Sequence, residues 1–240
     1  MQPHHPTPVL DHTASIMAQH TRHYYHLAML SALFAVFVIP IASKMIDIGG
    51  TPASVSVLFF PVVYVIGDLL TEVYGYALAR RALWYAIIAR IIAVFVFGIV
   101  AVIPPAATFT HNDAYDFVLG QAPLIAPASI AATFIGDIVN NYIVAKLKIW
   151  TKGRYMGLRF VVSTFGSQLT NTAIFYTFGL VLTGVLPLAL LLPSVLVGTL
   201  TKAVVEMVLL PVSVPLARKL KKIEGIDFYD RGTDFNPLKF

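Results

Sequence analysis

The sequence predicts an all-α polytopic membrane protein with six transmembrane helices and both termini in the cytoplasm. Three observations carry that reading. Of 240 residues, 58% are hydrophobic and 12% charged, about half the charge of an ordinary soluble domain. The apolar residues lie in long unbroken blocks, with the charges gathered between them. Those intervening charges are strongly one-sided once the chain is threaded six times across a bilayer.

The blocks run from Leu27 to Ser43, Val55 to Tyr76, Leu83 to Ile103, Ala122 to Ala145, Phe160 to Thr183 and Leu188 to Leu216. A hydrocarbon core of about 30 Å takes about 20 residues of helix. Helices are required because backbone groups in lipid must pair within the segment. The period-two alternation of a transmembrane strand is missing. Six spans put Arg22, Arg80, Arg81, Lys146, Lys148, Lys152, Arg154 and six basic residues after Leu216 on one side, against Lys44 on the other. Basic loops stay inside, so the pI near 9.4 reports topology and no nucleic acid is expected as a partner.

The expected organisation is a flexible His/Pro-rich cytoplasmic tail over residues 1–23, a transport domain over 24–222 and a polar cytoplasmic tail over 223–240. The first segment lacks an apolar signal region, so the first helix is expected to direct its own insertion. Six of the seven histidines (His4, His5, His12, His20, His23 and His26) fall at the N-terminal end. Without Cys or clustered carboxylates they do not build a closed metal site, and no cofactor is expected. The absence of cysteine excludes disulfides and thiol chemistry.

Seven ionisable residues lie inside or at the edge of the apolar blocks: Asp68, Glu72, Arg90, Asp137, Arg159, Lys202 and Glu206. Each costs about 2.5–3.5 kcal/mol at a helix centre on insertion scales, and such groups pair or line pathways. Asp68 and Glu72 share a helical face, as do Lys202 and Glu206, the latter spaced for an ion pair. Arg90 is expected to pair with one of the four acids, and Arg159 to reach the headgroups. Thr133, Asp137 and Asn141 form a row, with Asn140 beside it. Ser163, Ser167 and Asn171 form another, flanked by Thr164, Gln168 and Thr172. Two adjacent polar rows point to a wet or ligand-lined surface. Pro61 is expected to kink the second helix, and Phe60 and Tyr64 offer stacking faces on the Asp68 side. Enzyme chemistry is not expected. The Gly-x-Gly-Asp signature of intramembrane aspartyl proteases is missing, and neither a Ser–His pair nor a His-Glu-x-x-His helix occurs.

The run from Phe60-Pro61 through Tyr64, Gly67-Asp68, Thr71-Glu72-Val73-Tyr74-Gly75-Tyr76 and Ala79-Arg80-Arg81 resembles the signature of the queuosine precursor transporter family, six-helix membrane proteins related to vitamin uptake transporters. The resemblance continues at Lys146, Lys148, Lys152-Gly153-Arg154, Arg159, Gln168, Lys202, Glu206 and Pro211, and in the tail at Asp227, Tyr229-Asp230 and Phe235-Asn236-Pro237. Relatives often carry a carboxylate near positions 140 and 171, where this chain has asparagine.

The resemblance implies an inner-membrane importer of 7-deazaguanine bases such as the cyano and aminomethyl precursors. The alternative is a substrate-capture subunit energised by a separate ATPase. The implied partners are the deazapurine and the bilayer, with a homodimer left open. A guanine-like base presents adjacent N–H donors and a carbonyl. Asp68, Glu72, Asp137 or Glu206 is expected to read the donors. Lys202 or Gln168, with Asn140 or Asn171, is expected to meet the carbonyl or ring nitrogens, while Phe60 or Tyr64 stacks.

Overall fold

The computed structural model describes residues 21–238, apart from the Gln121 side chain. His4, His5, His12 and His20, and with them nearly all of the N-terminal tail, lie outside the described residues. Six α-helices follow in chain order: α1 (Tyr24–Ile41), α2 (Phe60–Tyr74), α3 (Tyr76–Val102), α4 (Asn112–Trp150), α5 (Met156–Ile174) and α6 (Leu191–Glu224). The all-α polytopic class holds, with one addition. A small antiparallel hairpin, β1 (Met45–Ile48) and β2 (Thr51–Ser54), joins α1 to a 3-10 turn over Val55–Leu58.

α1, α3, α4 and α6 are long and apolar enough to cross a membrane. Their large apolar side chains point outward, as with Ile92, Phe95 and Val102 on α3 and Val208 and Val212 on α6. That inside-out pattern suits a lipid solvent. α2 is the exception. Twelve of its 15 residues are buried, because α1, α3, α4 and α6 pack around it. At about 1.5 Å per residue it is too short to cross alone, and the hairpin and 3-10 turn fill the remaining depth. Ala53, Ser54 and Val57 of that segment are fully buried. Ser54 Oγ donates to the Ala42 carbonyl at 2.6 Å, and the Tyr176 hydroxyl accepts from Ser54 N at 3.0 Å. Irregular backbone at membrane depth is stable only when protein covers it in this way.

Pro61 corrects an expectation. It sits in the first turn of α2, where the missing N–H has no helical acceptor to lose, so it starts the helix and does not kink it. Only Gly75, at φ +84°, separates α2 from α3, so Arg80 and Arg81 lie on α3 and not in a loop. α5 continues through a π-helical turn, Phe175–Val181.

The start of α1 and the end of α6 meet at one end of the bundle. Glu224, at the end of α6, accepts from the backbone N–H groups of Arg22 and His23 at 3.2 and 2.7 Å and from the Tyr74 hydroxyl at 2.9 Å. The same end gathers Lys148, Arg159 and Lys221, and basic residues mark the cytoplasmic face.

Candidate functional site

Five helices deliver polar side chains to the middle of the bundle. α2 and α4 approach closely because residue 136 is glycine: a Cβ there would lie 2.8 Å from the Tyr64 hydroxyl and 3.0 Å from Asn171 Cβ. Small residues at such crossings let polar groups bond from helix to helix. Asn140 Nδ2 donates to Asp68 Oδ1 at 2.6 Å, and the Thr71 hydroxyl donates to Asn141 Oδ1 at 3.0 Å. Tyr64 of α2 lies beside Asp137 of α4.

α5 and α6 complete the interior. The Thr164 hydroxyl donates to Glu206 Oε1, and the Glu206 and Asp68 carboxyls face one another. Lys202 Nζ donates to Asn171 Oδ1 and Thr172 Oγ1, both at 3.1 Å, and lies 4.9 Å above the Phe60 ring. The ion pair expected between Lys202 and Glu206 is not formed, since each has found neutral partners on α5. Arg90 likewise bonds hydroxyls, Thr133 and Ser129, each at 2.5 Å. Asp137 is its nearest acid in electrostatic terms, without an ion-pair contact among the described residues.

Nine of the ten expected site residues (Phe60, Tyr64, Asp68, Asp137, Asn140, Gln168, Asn171, Lys202 and Glu206) gather in this interior. Several polar atoms there have no partner: both amide atoms of Gln168, Asp68 Oδ2, Glu206 Oε2, Ser194 Oγ and Thr199 Oγ1. Buried polar groups are nearly always bonded, so a cluster of orphans marks a place built for something else. Ser194 and Thr199 were not singled out from the sequence. The signal was present, because Ser194, Gly198, Lys202 and Glu206 repeat every fourth residue along one face of α6.

Where the polar rows are expected to form a wet or ligand-lined surface, their side chains are buried against one another. Two small spaces lie among them. One, of about 20 Å³, is lined by Tyr64, Asp137, Asn140 and Asn141, and the other, of about 10 Å³, by Phe60, Thr133, Asn171 and Lys202. Each has room for about one water, whereas ligand pockets run to about 300 Å³ or more. A ligand of that size would enter only if the helices parted.

Glu72, the tenth expected residue, stands apart from the other nine. One turn beyond Asp68, its Oε1 sits 2.7 Å from Arg159 Nη2, 2.5 Å from Lys221 Nζ and 3.8 Å from Lys148 Nζ. All three cations meet Oε1, which ties the carboxylate into the cytoplasmic end, while Oε2 is buried without a partner. Arg159 departs from expectation. It is 1% exposed and turned inward, bonding Glu72, Thr151 and the Arg154 carbonyl.

Residues 54–215 match the family described as "Putative vitamin uptake transporter". A curated relative from Bacillus subtilis (strain 168), named "Probable queuosine precursor transporter", is 28% identical over 133 residues, covering 55% of this chain and 58% of that protein. The chain thus spans less than two thirds of that relative's length. No solved structure matches. With two thirds of its length inside the family match, the buried α2 run at its heart and the polar rows of α4, α5 and α6 around it, this chain belongs to the vitamin uptake transporter family.

Proposed function

We propose that this chain imports a queuosine precursor, a 7-deazaguanine base such as the cyano or aminomethyl form, across the inner membrane. The observation that carries the reading is Gln168. It is fully buried in mid-bundle, with both its amide donor and its amide acceptor unpartnered. A primary amide is the complement of a lactam edge, giving N–H to the carbonyl and accepting N–H in return. One oxygen each of Asp68 and Glu206 lacks a partner, and the pair suits the adjacent N–H donors of the same base, one to each carboxylate. The Phe60 ring, 5.4 Å from that of Tyr64, supplies an aromatic face. A site that hydrogen-bonds its ligand this fully discriminates strongly against analogues lacking those groups. The name of the Bacillus subtilis relative points to the same cargo.

Purified chain in liposomes, given labelled base, tests the reading. Uptake without any other protein supports an autonomous importer. Uptake only with an added ATPase supports the capture-subunit alternative, and no uptake in either case refutes transport of that base. Gln168→Leu removes one donor and one acceptor at about 1–1.5 kcal/mol each, so binding weakens by about thirtyfold or more. Unchanged affinity in that variant removes Gln168 from the site.

A further inference from the structure

Beyond α6 the chain does not trail into solvent. It turns at Gly225, whose φ is +67°, and runs back across the cytoplasmic end of the bundle. Phe228 N donates to the Val73 carbonyl at 3.4 Å. The Asp230 carboxylate accepts the Tyr76 N–H at 3.0 and 3.2 Å, capping the open start of α3. Arg80 Nη1 donates to the carbonyls of Asp234 and Asn236 at 3.0 and 2.6 Å, and Trp84 Nε1 to that of Pro237 at 3.2 Å. Phe235 packs between Tyr76 and Tyr142, at 4.9 and 5.2 Å.

Two glycines form the seat. Gly75 and Gly153 both have positive φ, and a Cβ on either would collide with Phe228 or Tyr229. Their bare backbones therefore serve both the chain reversals and the tail aromatics.

Beneath the tail lies the ion cluster. Lys148 Nζ donates to the backbone carbonyls of Glu72 and Phe228, each at 2.6 Å. Asp227 Oδ1 lies 2.7 Å from Lys148 and 2.8 Å from Lys221. Glu72 holds Lys221 and Arg159 from the other side. One charged knot thus joins α2, α4, α5, α6 and the tail, over the cytoplasmic ends of the helices that carry the orphaned interior groups. Asp68 stands one turn behind Glu72, and Ser163 one turn behind Arg159.

We propose that residues 226–238 are the cytoplasmic gate of this protein, a strap latched through Asp227 on the two lysines that Glu72 holds, which lifts to open the polar interior to the cytoplasm. The inference rests on the transport reading and adds to it the element that moves. The fastening suits reversible release. It consists of ion pairs, backbone bonds and aromatics such as Phe228, which is 44% exposed, whereas a permanent closure would bury a continuous apolar core. Segments held this way lie at the low end of local stability, from which lids and gates are drawn.

The natural chain has no cysteine, which gives a clean background for two measurements on the full chain. The first needs no substrate. Ser163→Cys, fully buried behind the cluster, is labelled by a membrane-impermeant maleimide from the cytoplasmic face. Adding Phe228→Ala and Tyr229→Ala is expected to speed labelling by about tenfold or more, the mark of a strap that has lost its seat. In the second, Tyr142→Cys and Phe235→Cys are bridged by a cleavable bis-methanethiosulfonate linker. Uptake of labelled deazaguanine base is expected to stop on bridging and return on reductive cleavage, a comparison made within one folded protein. Equal labelling with the strap loosened, or full uptake with it bridged, overturns the gate. If the unbridged chain takes up no base while labelling still follows the strap, the cargo reading fails and the gate stands.

Discussion

Glu72 offers the most direct quantitative test. Its carboxylate is fully buried and touches Arg159 at 2.7 Å and Lys221 at 2.5 Å, with Lys148 at 3.8 Å. Lys148 and Lys221 retain Asp227, but Arg159 has no other carboxylate within ion-pair distance among the described residues. Glu72→Gln keeps the shape and one acceptor while removing the charge. Breaking a buried pair from one side costs about 3–5 kcal/mol, because the stranded charge keeps its desolvation penalty. The retained amide acceptor places this variant at the low end. About 3 kcal/mol lowers the melting temperature of a chain of this size by about 6–12 °C. Thermal unfolding of the purified, detergent-solubilised protein reads that shift directly. A second variant isolates the cause. Adding Arg159→Met removes the stranded cation and is expected to recover part of the loss, a positive coupling in the double-mutant cycle. A melting temperature within about 2 °C of the natural chain would mean that the cluster contributes under about 1 kcal/mol, and would refute the latch.

Two further outcomes follow from the packing and from the tail. Gly136→Ala places a methyl 2.8 Å from the Tyr64 hydroxyl and 3.0 Å from Asn171 Cβ. Overpacking of that kind costs about 1–3 kcal/mol, so thermal stability falls, and with it the Asn140–Asp68 contact across the same crossing; an unchanged melting temperature would show that α2 and α4 part easily. The second concerns pH. Burial raises Asp227, but its bonds to Lys148 and Lys221 outweigh that and hold it below its ordinary 3.8. Groups lowered in the folded state stabilise it above their ordinary values and lose that contribution as pH falls through the lowered ones. Asp230 is raised by burial and has the opposite sign. The strap therefore stays seated from about pH 7 to about pH 5 and lifts only below about pH 4. Trp84 fluorescence, in a Trp150→Phe background, reports it through the bond to Pro237; a change centred near neutral pH would contradict the assignment.

The membrane architecture was legible because its cause is local. Each apolar block reports the solvent around it, and the basic residues report the side of the membrane, without reference to any other part of the chain. Helix ends were less legible for the same reason. α4 runs on to Trp150 and α6 to Glu224, since helical propensity continues where apolarity stops. The hairpin had a visible signal in Gly49-Gly50 between two short β-compatible runs, overshadowed by the hydrophobic block that begins at Val55. The polar rows of α4 and α5 were readable from spacing alone. The tail cluster was not, because Lys148 and Lys221 reach Glu72 across 76 and 149 residues of sequence, and nothing local in a Lys or Glu indicates so distant a partner.

That division separates two kinds of buried charge on one helix. Asp68 and Glu72 are a single turn apart on α2, both fully buried, and sequence reasoning gave them one role. Their surroundings give them two. Glu72 is met by cations from α4, α5 and α6, so its desolvation is offset inside the protein and any ligand would have to displace those partners. Asp68 accepts from one asparagine amide and leaves its other oxygen without a donor, close to a second carboxyl and to an unpartnered glutamine. A group left in that condition costs stability, and the cost is recovered when the facing carboxyl shares a proton with it or a donor arrives from elsewhere. Ion-paired charge at the cytoplasmic end, with carboxyls behind it that no cation meets among the described residues, is the arrangement expected of a closed passage: the first set holds the exit shut, and the second is left for what passes through it.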